Sequence, residues 1–384
     1  MNYRNILSCI INTITSTKIE NGKDMYSKIC NIIKNATDKV NHPFQMFEDQ
    51  CIYCYTGTHW AKISDHDLKM FLRDAYQKIS DDEIKASQRD MIEGLFKQFP
   101  YTVMNFGVTQ AQGKINFLNG TLKLGTERGA LHSPGDYFRY VLPYDCVPGA
   151  PCPMFMKYLN EVLPEKNAQL VLAEYIGWLF LPDLKLEKVL FLYGSGCNGK
   201  SVFIDIIEAL LGKDNISHES LSDMCGESGG NSRANLVGKL LNTCSDVAPN
   251  AFSGDIFKRI ASGEPISSKT LYKDVVTITD YARMIFCLNE LPRTNDRSDG
   301  YFRRFLIVPF KVQIPKSKID PKLAKTIISS ELPGIMNWVL DGMERLIKQQ
   351  GFTESELCQK ELEKYKVGKV KNKISLILPE GYQR

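Results

Sequence analysis

Apolar residues recur at helical spacing over the first 40 positions: Ile6, Leu7, Ile10 and Ile14, then Met25, Ile29, Ile32 and Ile33. This predicts two helices, each with one buried face. From about residue 46 to 63 the pattern becomes strand, turn, strand, with Gly57 in the turn. Ser64 then opens a helix reaching residue 76, and Asp67 at its third position completes a capping box. Asp65-His66-Asp67 is thereby read as helix-start chemistry rather than as a pair of metal-binding acids. A Pro- and Gly-rich passage, 142–153, interrupts the pattern before helical spacing resumes over 154–163 and 168–180. Residues 188–193 form a short apolar run that ends in a glycine loop and leads into a helix over 201–211, closed by Gly212. Two more apolar runs, 236–244 and 284–288, complete the pattern of an α/β protein with several parallel strands.

Length and composition narrow the class. At 384 residues the chain has room for two or three domains. Its 24% charged and 43% hydrophobic residues are globular values, which exclude a disordered or fibrous protein. The net charge of +4 is too mild to argue for nucleic acid, so any basic surface is local. No apolar run approaches the roughly 18 residues of a membrane span. The stretch 6–14 is broken by Asn12 and preceded only by Arg4, a poor fit to a signal peptide. The eleven cysteines are scattered singly apart from Cys51 and Cys54, as expected in a reducing compartment. Adding Cys146 and Cys152 to that pair does not give zinc spacing, and space-filling thiols are the better reading.

The chemistry-bearing motif is Gly194-Ser195-Gly196-Cys197-Asn198-Gly199-Lys200-Ser201, which fits G-x-x-x-x-G-K-S/T between a strand and a helix. The glycines let backbone N–H groups converge on phosphate oxygens, and the helix N-terminus adds partial positive charge. Lys200 reaches the β and γ phosphates and Ser201 ligates Mg²⁺, so ATP and Mg²⁺ are the expected cofactors. Hydrolysis also needs a carboxylate at the end of a neighbouring strand, and Asp246 follows the run LVGKLLNTCS. Ser245 stands where many such ATPases carry a second acid, so one carboxylate serves both metal and water. A third strand, MIFCL, ends in Asn289, whose amide suits hydrogen bonding to water and γ phosphate.

The ordered landmarks INFLNGTLKL, HSPGDYFRYVLPYD, EYIGWLF, GSGCNGKS, GKLLNTCSDV, FKRIASGEPISSKTLYKD, MIFCLNELP, GYFRRFLIVPF and ELPGIMNW give the region 113–346 a specific likeness. It resembles superfamily 3 helicases, in particular the phage, plasmid and poxvirus-type primase-helicase family. The resemblance implies an AAA+-like P-loop ATPase core with an N-terminal mixed α+β, mostly helical domain and a C-terminal helical segment, divided at 1–165, 166–314 and 315–384. It further implies a hairpin opened by Gly263-Glu264-Pro265-Ile266-Ser267, with Lys269, Tyr272 and Lys273 on single-stranded DNA. There a lysine meets a phosphate and an aromatic ring lies against sugar or base.

Arg303 and Arg304, 14 and 15 residues after Asn289, match the family's arginine finger. Arg304 is favoured, with Arg303 as the alternative and Arg304 then in a structural ion pair. Lys258 matches a basic position that faces the nucleotide in viral relatives, or it is a solvated helix lysine. The implied activity is ATP-driven 3′ to 5′ unwinding of forked DNA by a homo-hexameric ring for replication of a virus, phage, plasmid or other mobile element. The place would be a bacterial cytoplasm or viral replication site, with a separate primase or polymerase as partner. The first 110 residues carry no zinc cluster or catalytic acid set, so primer synthesis is not expected. The alternative function is an ATPase acting as a nucleotide-dependent switch or assembly factor without unwinding.

Overall fold

The first unit, Met1–Val141, is built on helices whose apolar stripes face one another. The computed structural model describes residues 2–374 except 18, 20, 21, 81, 106, 107, 127, 128, 227, 246–253, 270–274, 294, 295 and 297. Its elements in this unit are α1 (Tyr3–Thr13), α2 (Met25–Lys39), β1 (Phe44–Met46), β2 (Ile52–Tyr55), β3 (Trp60–Lys62), α3 (Asp65–Ser80), α4 (Glu83–Ala86), α5 (Arg89–Val103), β4 (Lys114–Phe117), β5 (Gly120–Lys123) and β6 (Gly129–Ala130). Ile6, Ile10, Ile29, Ile33, Leu72, Leu95 and Phe99 share one buried cluster. The capping box forms as the sequence suggests: Ser64 Oγ accepts the Asp67 N–H at 3.0 Å. The Asp67 carboxylate also accepts from Tyr3 Oη at 2.7 Å and pairs with Arg4 at 3.1 Å, which commits it to structure. Cys51 and Cys54 are buried thiols outside any disulfide, and among the described residues no group of three ligand side chains suits a metal.

The second unit, Leu142–Arg384, begins where the Pro- and Gly-rich passage does. It holds α6 (Pro153–Val162), α7 (Lys166–Trp178), β7 (Val189–Tyr193), α8 (Lys200–Leu211), β8 (Ile216–Ser217), α9 (Leu221–Cys225), α10 (Gly230–Ala234), β9 (Leu241–Ser245), α11 (Gly254–Ser262), β10 (Ile266–Lys269), β11 (Val275–Ile278), β12 (Arg283–Leu288), α12 (Asp299–Phe302), β13 (Phe305–Pro309), α13 (Leu323–Gln349) and α14 (Glu356–Ile374). Helix α6, inside the first domain on the sequence boundaries, thus belongs to the second unit. Strand β9 starts later than the apolar run from Leu236, because Gly238 turns the chain at φ 71° and strand pairing begins only at Leu241.

Five strands form a parallel sheet in the order β13-β7-β12-β9-β8. Val189, Leu190, Phe191 and Leu192 are all buried, the continuous apolar run expected of a central strand covered on both faces. Because β12 inserts between β7 and β9, the loops leaving the carboxyl ends of these three strands diverge and open a crevice there.

Helices α7 and α13 pack so closely that small residues are obligatory. A Cβ on Gly177 would lie 2.7 Å from Met343 Cβ, and one on Gly342 only 2.5 Å from the Ala173 carbonyl carbon. Glu174, fully buried on α7, accepts from Arg345 Nε at 2.6 Å and from the Thr353 N–H at 2.7 Å, tying the same helices together. Gly342→Val is expected to destabilise by about 1–3 kcal/mol through overpacking, read as a lower Tm in thermal unfolding. An unchanged Tm would contradict this packing.

Candidate nucleotide site

The loop after β7 owes its shape to residues that tolerate left-handed backbone. Gly196 (φ 100°), Cys197 (φ 49°) and Gly199 (φ 89°) reverse the chain, and a Cβ on Gly199 would collide with Val162 Cγ1 at 2.7 Å. The loop is fixed from three sides. Gly194 N–H donates to Leu288 O on β12 at 3.0 Å, Asn198 Nδ2 donates to Phe310 O at 2.9 Å, and Tyr158 Oη on α6 donates to Gly199 O at 2.7 Å. The Ile314 N–H adds a bond to Cys197 O at 2.9 Å.

Lys200 opens α8 and is buried, its ammonium donating to Gly194 O at 2.7 Å, Asn198 Oδ1 at 3.0 Å and Asn289 Oδ1 at 3.4 Å. Burial pulls its pKa below the ordinary lysine value, with the nearby Cys287 opposing. Three acceptors take up its three protons. The structure therefore brings Lys200, Asn198 and Asn289 into contact, although the last lies 89 residues away in sequence. A cleft of about 470 Å³ opens here, lined by Gly196 to Val202, Ser245, Cys287, Asn289, Ile314 and Ile319. Ser195, Gly196, Cys197 and Ser201 complete the loop around it, and Ser201 is exposed at its mouth. The helix N-terminus and a fixed cation make this a place for an anion of phosphate type.

The remaining sequence candidates fall as follows. Ser245 ends β9 at the cleft, whereas Asp246, the expected carboxylate, lies outside the described residues. Strands β10 and β11 form the expected antiparallel hairpin, with exposed Lys269 paired opposite Val275. Tyr272 and Lys273, between those strands in sequence, lie outside the described residues. Lys258 on α11 pairs with Asp296 at 2.5 Å. Despite burial, that lysine and Ser298 hold the Asp296 carboxyl down to about 2.

Arg303 and Arg304 differ sharply. Arg304 is 8% exposed, with Nη2 and Nε donating to Ser262 Oγ at 2.8 and 3.1 Å and Nη1 to Gly300 O. The Arg303 side chain is 61% exposed and pairs with Glu187 at 2.6 Å. Tyr158 and Phe310 escaped the sequence reading: each supports the loop through a bond whose partners are 41 or 112 residues apart.

A parallel five-stranded sheet with a strand, glycine loop and helix at its carboxyl edge defines an α/β nucleotide-binding core. Residues 25–164 match the model of a family described as D5 N terminal like, and residues 192–304 match that of a family of unknown function (DUF5906). The chain is 22% identical over 221 residues to "Putative helicase L207/L206" of Acanthamoeba polyphaga mimivirus, covering 53% of this chain and 23% of that one. It thus spans about a quarter of that relative's length. Among solved structures, the A form apo structure of the NrS-1 C terminal region superposes with a TM-score of 0.54 at 10% identity, over 87% of this chain and 74% of that one. A second apo structure of the region gives 0.53 at 12% identity, over 88% and 76%. These two superpositions show a shared fold. Over residues 25–164 the chain thus resembles the D5-type family, and over 221 residues it resembles a viral protein described as a putative helicase. Among the described residues, no helix is long and apolar enough to cross a membrane.

Proposed function

We propose that this chain is the ATP-driven motor of a DNA helicase, an AAA+-like P-loop ATPase of superfamily 3 that works as a hexameric ring and moves 3′ to 5′ on one strand. The observation that carries the reading is the convergence of Lys200, Asn198 and Asn289 on one cleft at the carboxyl edge of a parallel sheet. Lys200 supplies the cation for the β and γ phosphates, and the loop N–H groups supply further donors. Asn289, already within reach of the lysine, orients water and the γ phosphate through its amide. A donor set of one hydroxyl and one carboxylate, Ser201 and Asp246, suits Mg²⁺, which keeps several waters and takes the rest of its ligands from phosphate. When bound, the metal neutralises charge on the phosphate oxygens.

The finger is assigned to Arg303. A guanidinium that acts on a neighbouring subunit's nucleotide has to be exposed, and Arg304 is buried with its donors committed within its own chain. The burial of Arg304 supports this choice over the one favoured on the sequence. Lys269, Tyr272 and Lys273 would contact the DNA strand from the β10–β11 hairpin. The second reading, a switch that hydrolyses ATP without unwinding, is favoured by Ser245 in place of a second acid. ATP turnover with and without single-stranded DNA, together with strand displacement on a forked duplex, separates them: the motor releases the annealed strand and the switch does not.

A further inference from the structure

Arg233 on α10 is a buried cation, 6% exposed, that the described residues surround with carbonyls rather than a carboxylate. Its Nε donates to Ser267 O on β10 at 2.6 Å and its Nη1 to Met224 O on α9 at 2.6 Å. Taking a guanidinium out of water for two neutral acceptors is costly, so its fork geometry has a use that an apolar residue would not serve. The contact it maintains is unusually close. A Cβ on Gly230 would lie 3.0 Å from Lys269 Cβ, so α10 rests directly on the strand that carries the exposed Lys269. A Cβ on Gly229 would lie 2.7 Å from Arg233 Nη1, so glycine there leaves room for the guanidinium.

The other side of this element is bonded to the strands of the nucleotide cleft. Asn242, fully buried on β9, accepts from the Glu219 N–H at 2.7 Å and donates to Glu219 O at 2.9 Å. Glu219 Oε1 in turn accepts from Asn235 Nδ2 at 2.8 Å, one residue beyond α10. Leu236 O accepts the Ala282 N–H at 3.0 Å, immediately before β12, the strand that leads to Asn289. The Leu236 N–H donates in turn to Arg233 O at 3.2 Å, so Glu219, Asn235 and Leu236 connect the strands ending at Ser245 and Leu288 to the residue that holds the hairpin.

We propose that Arg233 is a positioning residue that clamps the β10–β11 hairpin to α10, so that the hairpin's hold on a nucleic-acid strand follows the state of the nucleotide cleft. Coupling of this kind is carried by packed, hydrogen-bonded elements that reach both sites, and α10 with Glu219, Asn235 and Leu236 supplies such contacts. The inference rests on the reading of the hairpin as the DNA contact. ATP turnover measured against single-stranded DNA concentration tests it, using Arg233→Gln, Arg233→Lys, Gly230→Val and Lys269→Glu beside the unaltered chain. Arg233→Gln and Gly230→Val are expected to lower Tm, as a lost buried donor and an overpacked contact do, yet to keep DNA-free turnover at temperatures well below that Tm, while the half-saturating DNA concentration rises about tenfold. Arg233→Lys recovers part of the loss. Gly230→Val leaves the guanidinium in place and carries the test if Arg233→Gln does not fold. Wild-type DNA response in both Arg233→Gln and Gly230→Val, with Lys269→Glu impaired, overturns the clamp alone. DNA-free turnover falling in step with Tm overturns it too, as the mark of a merely structural residue. A normal DNA response in Lys269→Glu sinks the hairpin reading, and the clamp with it.

Discussion

Lys200→Met is expected to lower ATP turnover by about 10²–10³-fold, the usual consequence of removing one preorganised charge-stabilising donor from a phosphoryl-transfer site. The side chain is held by Gly194 O, Asn198 Oδ1 and Asn289 Oδ1, so it stands in the cleft before any ligand arrives. Its replacement should also lower Tm, because Gly194 O, Asn198 Oδ1 and Asn289 Oδ1 lose a buried donor at roughly 1–3 kcal/mol for groups left unsatisfied, offset in part by relief of the desolvated cation. Steady-state hydrolysis and a thermal melt on the same preparation check both halves. Full activity in Lys200→Met would remove the cleft from consideration as the nucleotide site.

Arg303→Ala is expected to reduce turnover of the assembled protein by about 10³-fold or more, the effect of losing an arginine finger, while nucleotide affinity and Tm stay near those of the unaltered chain. The exposed ion pair with Glu187 gives little stability to lose. Arg304→Ala should behave in the opposite sense. It strips Ser262 Oγ and Gly300 O of a buried donor, at roughly 1–3 kcal/mol for groups left unsatisfied, and lowers Tm. Turnover and melting of the two variants, measured side by side at protein concentrations that favour assembly, decide the assignment. An inert Arg303→Ala beside a stable, inactive Arg304→Ala would return the finger to Arg304.

What the sequence made legible was local. The glycine loop, the strand before it and the helix after it follow from residues within about a dozen positions of one another, and the strand-end Asn289 follows from an apolar run that stops. Helix α5 was not among the predicted elements, although its buried Met91, Leu95, Phe99 and Val103 fall at helical spacing. The bonds that shape the cleft were not legible. Tyr158 to Gly199 and Asn198 to Phe310 each join residues that only the folded sheet brings together. The choice between Arg303 and Arg304 was equally hidden, since adjacent residues of the same type differ only in which one α12 and β13 turn inward. Asp246, Tyr272 and Lys273 lie outside the described residues, so their roles rest on the motif positions alone.

The central claim is that hydrolysis in this cleft drives strand separation. Release of a labelled strand from a forked duplex, followed with ATP in the unaltered chain and in Lys200→Met, tests it most directly. The account expects ATP-dependent release that is lost in Lys200→Met and needs a free 3′ arm on the tracking strand. ATP hydrolysis by the unaltered chain, stimulated by single-stranded DNA yet without release of the annealed strand, would contradict it and leave the nucleotide-dependent switch in its place.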